Sequence, residues 1–253
     1  IFSSESTYIN GALFAAFLAF AASGELVAER AGTLNISVEG MLLGGAFTSA
    51  VGYHITDSML LALFTGVAGV LFALDPGSGK VIKDFGEEGS IKLGSGLNTP
   101  GVTYKDLLIV GGVGGKGAVR AYDVRTGAQR WIFHLIPRPG EVGYDTWPKD
   151  AYKNATGLMP WCGQSLDERR GVVYVATKTA EPDFYGGQRH GANLFANSVL
   201  ALNAATGKHI WHFQIVHHDL LDKDLPCPPV LVTVTHKGKK IDAVAQGTKH
   251  GLL

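Results

Sequence analysis

The sequence predicts a mainly β protein that forms part of a β-propeller, and a repeated turn motif is the main reason. The pattern Ala-x-Asp-x-x-Thr-Gly-x-x-x-Trp stands at residues 121–131 and returns, with Asn for Asp, at residues 201–211. A degraded copy at residues 73–80 keeps Asp75 and Gly79 but has no Trp. Asp or Asn closes an Asx-turn, Gly supplies a backbone with positive φ, and the Trp then faces a core. Because such a sheet cannot bury its face alone, the repeat predicts stacked blades.

Short β-branched runs between the turns predict the strands that these blades need. Residues 107–112 and 171–177 are apolar runs bounded by glycine and charge, as buried strands are. Gly79 and Gly127 lie one blade of about 40–50 residues apart. The next interval is much longer and needs a blade plus a long excursion at residues 137–164, and long loops on rigid sheets often carry sites.

Residues 1–70 differ in character and predict an α-helical, membrane-like segment. Apolar runs cover residues 11–23, 38–55 and 59–74, and the second and third approach the roughly twenty residues of a spanning helix. Small residues are dense in the second run, as expected where membrane helices pack closely. A buried pair of soluble helices is the alternative. A cleavable signal peptide is not expected, because no basic residue precedes Gly11.

Charge and cysteine content narrow the class of function. Charged residues make up 17% of the 253 residues, and 22 acidic groups balance 22 basic ones. This balance argues against a nucleic-acid partner and for a small-molecule or membrane role. The two cysteines, Cys162 and Cys227, are too few for a disulfide framework and lack metal-ligand spacing. One bridge and two free thiols are both open.

The stretch richest in chemistry is residues 217–226, where two His and three Asp follow a strand expected to end near Val216. Such a cluster can hold a metal or position a general base, but it can also be a loop whose Asp side chains cap its own turns. Trp161 has two interpretations as well, a stacking platform or a core side chain. Spacing alone does not decide between these alternatives.

Three longer segments accompany the turns that dock a Trp, at residues 130–149, 193–197 and 211–219. Together, over residues 71–253, they closely resemble the quinoprotein dehydrogenases that use pyrroloquinoline quinone (PQQ), in particular the glucose and quinate dehydrogenase branch. The resemblance implies a propeller that closes around the cofactor, of which this chain holds about three blades. It also implies oxidation of a sugar, cyclitol or other alcohol, a membrane quinone as electron acceptor, and a catalytic part facing the periplasm at the bacterial inner membrane.

The resemblance also implies roles for single residues. Trp161 falls where the family has a tryptophan lying flat beneath the quinone. Asp222 aligns with the catalytic aspartate, which is expected to take the proton of the substrate hydroxyl as a general base. Lys249 stands where a cation meets the ortho-quinone oxygens and stabilises negative charge there. Thr179 aligns with a Ca²⁺ ligand that is Asn in methanol dehydrogenase relatives, and Asp222 is the second residue expected near that metal.

The sequence departs from the family beside these residues: Leu221 stands where a Trp precedes the base, and Lys178 where a turn glycine is expected. Residues 12–70 instead resemble an inner-membrane permease of ABC transporters. We therefore predict two domains, a permease-like segment at residues 1–70, acting as a membrane anchor or derived by fusion, and an incomplete dehydrogenase propeller at residues 71–253. Two other functions are considered, a non-catalytic propeller scaffold of the outer-membrane assembly type and a remnant of a transport permease.

Overall fold

A computed structural model describes residues 70–75, 78–93, 97, 99–112 and 116–253 of the chain. Within these residues the protein is mainly β, as predicted, with a 3₁₀ helix at Tyr144–Thr146 and a short helix α1 at Ala151–Asn154. The strands are β1 (Val70–Phe72), β2 (Ser90–Lys92), β3 (Val102–Tyr104), β4 (Leu107–Gly111), β5 (Ala118–Asp123), β6 (Gln129–His134), β7 (Gln164–Asp167), β8 (Val172–Ala176), β9 (Ser198–Asn203), β10 (His209–Gln214), β11 (Val230–His236) and β12 (Lys239–Ala245).

The predicted helical segment lies outside the described residues, apart from Val70, which begins β1. Among the residues that are described, no helix is both long enough and apolar enough to cross a membrane.

Two four-stranded antiparallel sheets form the body of the described structure. The first sheet has the order β3-β4-β5-β6 and the second the order β10-β9-β8-β7, so that each strand pairs with its neighbour along the chain. Two further antiparallel pairs join β1 with β2 and β11 with β12. Four-stranded meanders of this kind are the blades of a propeller. The strands predicted at residues 107–112 and 171–177 are confirmed, because they form β4 and β8 to within one residue at each end.

Both complete copies of the turn motif adopt the predicted geometry. Asp123 Oδ1 and Asn203 Oδ1 each accept two backbone N–H groups at 3.0 Å, from the residues two and three positions further on. Gly127 and Gly207 then take φ values of 74° and 69°, in the left-handed region that glycine occupies without strain. In the degraded copy, Asp75 Oδ1 accepts the N–H of Ser78, three positions further on, at 2.8 Å.

Trp131 joins the two sheets. It is 8% exposed, and its Nε1 donates to the backbone oxygen of Ala204 at 3.1 Å, in the turn of the second sheet. The core position predicted for the motif tryptophan is therefore confirmed for Trp131. It is wrong for Trp211, which is 39% exposed. Both tryptophans lie on outer strands, but Trp131 of β6 meets the second sheet, whereas no further four-stranded sheet among the described residues covers β10.

One end of the second sheet, where the termini of its strands meet, positions the predicted site and is called its edge below. The start of β7, the end of β8, the start of β9 and the end of β10 meet there, since antiparallel neighbours alternate in direction. The long excursion before β7 is fixed to this edge by Trp147, which is 6% exposed and donates its Nε1 to the backbone oxygen of Leu194. The loops at this edge carry the candidate residues.

Candidate active site

The four residues predicted for the site come from four different segments. Trp161 lies just before β7, Thr179 just after β8, Asp222 in the loop that follows β10, and Lys249 after β12. The structure brings all four into one neighbourhood through direct contacts or a single intervening side chain.

Lys249 is the centre of this neighbourhood. Its Nζ lies 3.1 Å from Oδ2 of Asp222 and 3.7 Å from Oδ2 of Asp224. It also donates to the backbone oxygen of Asp222 at 2.9 Å and lies 5.9 Å from the centroid of the Trp161 ring, within cation–π range. An ammonium carries three donors, and Asp222 takes two of them. About a third of each side chain of the Lys249–Asp222 pair is exposed, so a ligand can reach both.

The loop around Asp222 is held by a buried neighbour. Asp222 itself has φ 52°, a left-handed conformation that Asp tolerates better than most residues. Asp219 is 3% exposed and accepts the N–H groups of Leu221 at 2.9 Å and Lys223 at 2.6 Å, on either side of Asp222. Burial alone would raise the pKa of Asp219, but the hydrogen bonds from Thr179 and from these N–H groups outweigh it and hold the pKa below its ordinary value.

Thr179 connects the two buried aspartates behind the site. Its hydroxyl donates to Asp219 and accepts from Nδ2 of Asn197 at 2.9 Å, while its backbone N–H donates to Oδ1 of Asp224 at 2.6 Å. Burial raises the pKa of Asp224, against the opposing effects of this N–H and of Lys249. Thr179 therefore fixes the relative positions of the carboxylates that surround Lys249.

Lys178, in place of the expected glycine, brings a second cation to the same edge. Its Nζ lies 3.4 Å from Oε1 of Glu181 and 3.8 Å from Oδ1 of Asp183. Burial raises the pKa of Asp183, and the charges of both Lys178 and the Lys249–Asp222 pair act on this carboxyl. Lys178 thus adds a charged group to the site.

Residues 217–226 were predicted either to form a site or to be a loop whose Asp side chains cap its turns, and different side chains of the segment follow each alternative. Asp219 caps its own turn, whereas Asp222 faces Lys249. Across the described ranges, no three His, Cys, Asp or Glu side chains are grouped closely enough to hold a metal ion. The sequence alone did not single out Asp219, Asp224 or Asn197. Asp219 and Asp224 stand in the segment noted for its residue types, and Asn197 stands in a segment noted for its resemblance, but spacing does not reveal which side chains are buried.

Known proteins identify the family. The model of the PQQ glucose/ethanol/alcohol dehydrogenase β-propeller domain matches residues 50–253. The chain belongs to this family. Quinoprotein glucose dehydrogenase A of Acinetobacter calcoaceticus is 34% identical over 72% of the chain and 25% of its own length. Quinate/shikimate dehydrogenase (quinone) of Acinetobacter baylyi is 36% identical over 73% of the chain and 25% of its own length.

Solved structures of quinoprotein dehydrogenases share the fold. A quinohemoprotein alcohol dehydrogenase of Pseudomonas putida superposes with a TM-score of 0.61 at 25% identity, over 72% of this chain and 29% of the other. The propeller prediction is confirmed. The chain spans about a quarter of the length of the curated relatives it matches. Because the family match begins at residue 50, inside the segment likened to a permease, the domain boundary at residue 70 stays a prediction.

The PQQ family implies a planar quinone, and the residues present fit such a group. Trp161 offers a half-buried indole whose Nε1 is buried and has no hydrogen-bond partner among the described residues. A buried donor of this kind needs an acceptor, which a ligand can supply. The ammonium of Lys249 lies near this ring and forms an ion pair with the carboxylate of Asp222.

A Ca²⁺ ion in the same site would need six to eight oxygen ligands. The hydroxyl of Thr179 is fully buried and already bonded to Asp219 and Asn197, whereas the carboxylate of Asp222 is partly open. Oδ1 of Asn197 is buried and unpaired within the described residues. Asp222 therefore fits a metal better than Thr179 does, and the metal roles of both residues stay predictions.

Proposed function

We propose that this chain forms one wall of a PQQ-dependent active site that oxidises the CH–OH group of a sugar, cyclitol or other alcohol. The observation that carries the proposal is the meeting of a carboxylate, an ammonium and an indole around Nζ of Lys249, which lies 3.1 Å from Asp222 and 5.9 Å from the ring of Trp161. The names of the relatives, which act on glucose and on quinate or shikimate, support this substrate class.

When bound, PQQ supplies the acceptor for the hydride that leaves the substrate carbon. Asp222 accepts the proton of the substrate hydroxyl at its carboxylate, acting as the general base. Lys249 keeps two hydrogen bonds to Asp222 and offers its third N–H to oxygens that gain negative charge. Trp161 provides the flat face against which a planar ring packs.

Two buried aspartates position these groups without touching the substrate. Asp219 fixes the loop on both sides of Asp222, so that the base does not have to be ordered when the substrate arrives. Asp224 lies 3.7 Å from Nζ of Lys249 and is itself tied to the N–H of Thr179. This arrangement favours one position for the ammonium of Lys249, and thereby one position relative to Asp222 and Trp161.

The remaining features of the proposal rest on the resemblance to the family. A Ca²⁺ ion would be held chiefly by the carboxylate of Asp222, and Thr179, whose hydroxyl is bonded to Asp219 and Asn197, would be a weaker neutral ligand. Electrons pass to a membrane quinone, as the word quinone in the name of the quinate/shikimate relative suggests. The catalytic part faces the periplasm at the bacterial inner membrane, residues 1–70 provide the membrane contact, and the described sheets belong to an arc of about three blades.

Titration of the purified chain with PQQ, with and without Ca²⁺, tests the cofactor site. We expect quenching of tryptophan fluorescence in the wild type and at least a roughly tenfold rise in Kd for Trp161→Ala, because stacked aromatic contact is lost. Trp211→Ala is the matched control, since Trp211 lies on the outer strand of the same sheet. An equal rise in the Kd for PQQ in both variants, or no binding of PQQ in any condition, would contradict the proposed cofactor site.

Dye-linked oxidation of sugars and cyclitols by the intact protein tests the base. Asp222→Asn keeps the shape but removes the proton acceptor, so kcat should fall by about 10²–10⁴-fold while the Kd for PQQ changes little. Asp84→Asn, at an exposed position, is the control. Lys249→Met should lower both kcat and PQQ affinity, in contrast to Lys223→Met in the loop of Asp222. Full activity of Asp222→Asn would favour a non-catalytic role for this cluster.

A further inference from the structure

The two cysteines of the chain stand next to the candidate site in different segments. Cys162 directly follows Trp161, and Cys227 stands near the end of the loop that carries Asp222 and Asp224. Both are half-buried and reduced in the structure. Their position matters because one of them moves with the aromatic platform and the other with the general base.

The backbones around the two cysteines run side by side in the same direction. A Cβ on Gly163 would lie 3.4 Å from Cγ of Pro228, and two residues further on the hydroxyl of Ser165 donates to the backbone oxygen of Pro229. These contacts pack the residues that directly follow Cys162 against the residues that directly follow Cys227, so the two cysteines lie in one neighbourhood. A disulfide needs Cα atoms about 4.4–6.8 Å apart.

The contacts of the two sulfur atoms are weak, so they do not oppose a bond between the two cysteines. Within the described part of the chain, the hydrogen-bond contacts of Sγ of Cys162 are long, 3.9 Å to the backbone oxygen of Gly163 and 4.0 Å to that of Ala176. Sγ of Cys227 lies 3.4 Å from Nε2 of Gln246 and 3.9 Å from the backbone oxygen of Gly247. Burial raises the pKa of Cys162 to about 12, and the nearby Cys227 thiol is the second cause.

We propose that Cys162 and Cys227 form a reversible disulfide that fastens the Trp161 platform to the loop of Asp222. The bond goes beyond the function proposed above and does not depend on it, because the pairing follows from the packing of residues 162–165 against residues 227–229. It converts two segments that meet through side-chain contacts into one covalent unit beneath the site.

The oxidant is a small-molecule or protein disulfide, RS–SR. The thiolate of Cys227 attacks one of its sulfurs, forms a mixed disulfide and expels RS⁻. The thiolate of Cys162 then attacks the sulfur of Cys227, forms the new S–S bond and expels the second RS⁻. The two cysteines lose two electrons and two protons, and the oxidant becomes two RSH. Because the pKa of Cys162 is raised, the second step is slow in the folded protein, and the bond forms best while the chain is still folding.

Peptide mapping of the full chain, refolded with oxidised and reduced glutathione, tests the pairing. Trypsin should release residues 154–169 joined to residues 224–237, at a mass about 2 Da below the sum of the two peptides. Cys162→Ser and Cys227→Ser should each abolish this species. Two alkylatable thiols in the oxidised monomer, or a bond only between two chains, would overturn the proposal.

Thermal unfolding of the wild type keeps the test independent of how the variants fold. The bond closes a loop of about 65 residues, so the oxidised monomer should unfold roughly 5–15 °C higher than the same protein after reduction. The double variant Cys162→Ser, Cys227→Ser should show no difference between oxidising and reducing buffer. An oxidised wild type that unfolds no higher than the reduced form would mean that the structure does not accommodate the bond, and would contradict the proposal.

Discussion

The two four-stranded sheets carry the same turn motif, yet their tryptophans lie in different surroundings. Trp131 of the first sheet is buried and donates its Nε1 to the turn of the second sheet. Trp211 of the second sheet is 39% exposed and contacts Tyr174 of its own sheet, with ring centroids 5.9 Å apart. The motif alone therefore does not determine what its tryptophan contributes to stability. The neighbouring sheet does.

The turn glycines also depend on the neighbouring sheet, because a side chain from that sheet packs against them. A Cβ on Gly207 would lie 2.4 Å from the ring of Trp131, so this glycine makes room for the tryptophan of the preceding sheet. A Cβ on Gly127 would instead lie 2.9 Å from Ile91. The degraded copy has Lys83 where the motif has Trp. Ile91 is the side chain that meets Gly127, as Trp131 meets Gly207. Each of the two complete turns thus receives a side chain from the preceding sheet.

The largest difference that we expect is between Trp131→Ala and Trp211→Ala. Removing Trp131 leaves a cavity between the sheets and an unpaired carbonyl at Ala204, which should cost about 3–5 kcal/mol in the free energy of unfolding. Removing Trp211 takes away a partly solvated ring and should cost about 1–2 kcal/mol. Urea unfolding followed by circular dichroism measures both. Equal losses would mean that Trp211 is buried in solution by something outside the described residues.

A second, smaller difference should separate two turn glycines. Gly207→Ala combines left-handed strain with a clash against Trp131 and should cost about 2–4 kcal/mol. Gly79 has nearly the same φ, 68°, but a Cβ there has nothing within 4 Å, so Gly79→Ala should cost only the strain of about 1–2 kcal/mol.

The variant Trp131→Leu provides the control for this pair. A smaller side chain at position 131 should relieve most of the clash, so Gly207→Ala should cost less in that background than in the wild type. A penalty at Gly207 that is independent of residue 131 would show that the backbone conformation, and not the docking of Trp131, makes glycine necessary there.

These comparisons also show how far the sequence predicts the structure. The Asx-turns, the positive φ of the glycines and the strands β4 and β8 depend on residues close together in the chain, and all were predictable. The exposure of Trp211 was not, because it depends on which sheet lies next to β10. Local rules describe the turn, whereas burial is decided by contacts between distant segments.

The candidate site also contains residues that the sequence predicted and residues that it did not. The residue types and the resemblance predicted Trp161, Thr179, Asp222 and Lys249, and the fold brings them together. The sequence could not reveal that Asp219 and Asp224 are buried supports on either side of Asp222, because three aspartates within six positions look alike without the loop conformation. That conformation depends on Thr179 and Asn197, which come from other loops.

The smallest expected difference lies in the acid dependence of the two turns. The N–H groups of Thr126 and Arg125, with the ion pair to Arg130, hold the pKa of Asp123 below its ordinary value. A lowered pKa in the folded state stabilises the protein above the unfolded-state pKa of about 4, and this contribution is lost as the pH falls through the lower folded-state value. Asn203 accepts the same N–H groups without a titrating carboxyl. Asp123→Asn should therefore flatten the loss of stability between about pH 5 and pH 3, relative to the wild type.

The reciprocal change, Asn203→Asp, sharpens this test, because it should add acid dependence to the second turn. The added dependence should be weaker than that removed by Asp123→Asn, since Ile210 stands where the first turn has Arg130 and no ion pair can form with it. Urea midpoints measured at half-unit pH steps compare the slopes directly. If Asp123→Asn kept the wild-type slope, the acid sensitivity would belong to other carboxylates with lowered pKa values, of which Asp219 beneath the candidate base is the buried one.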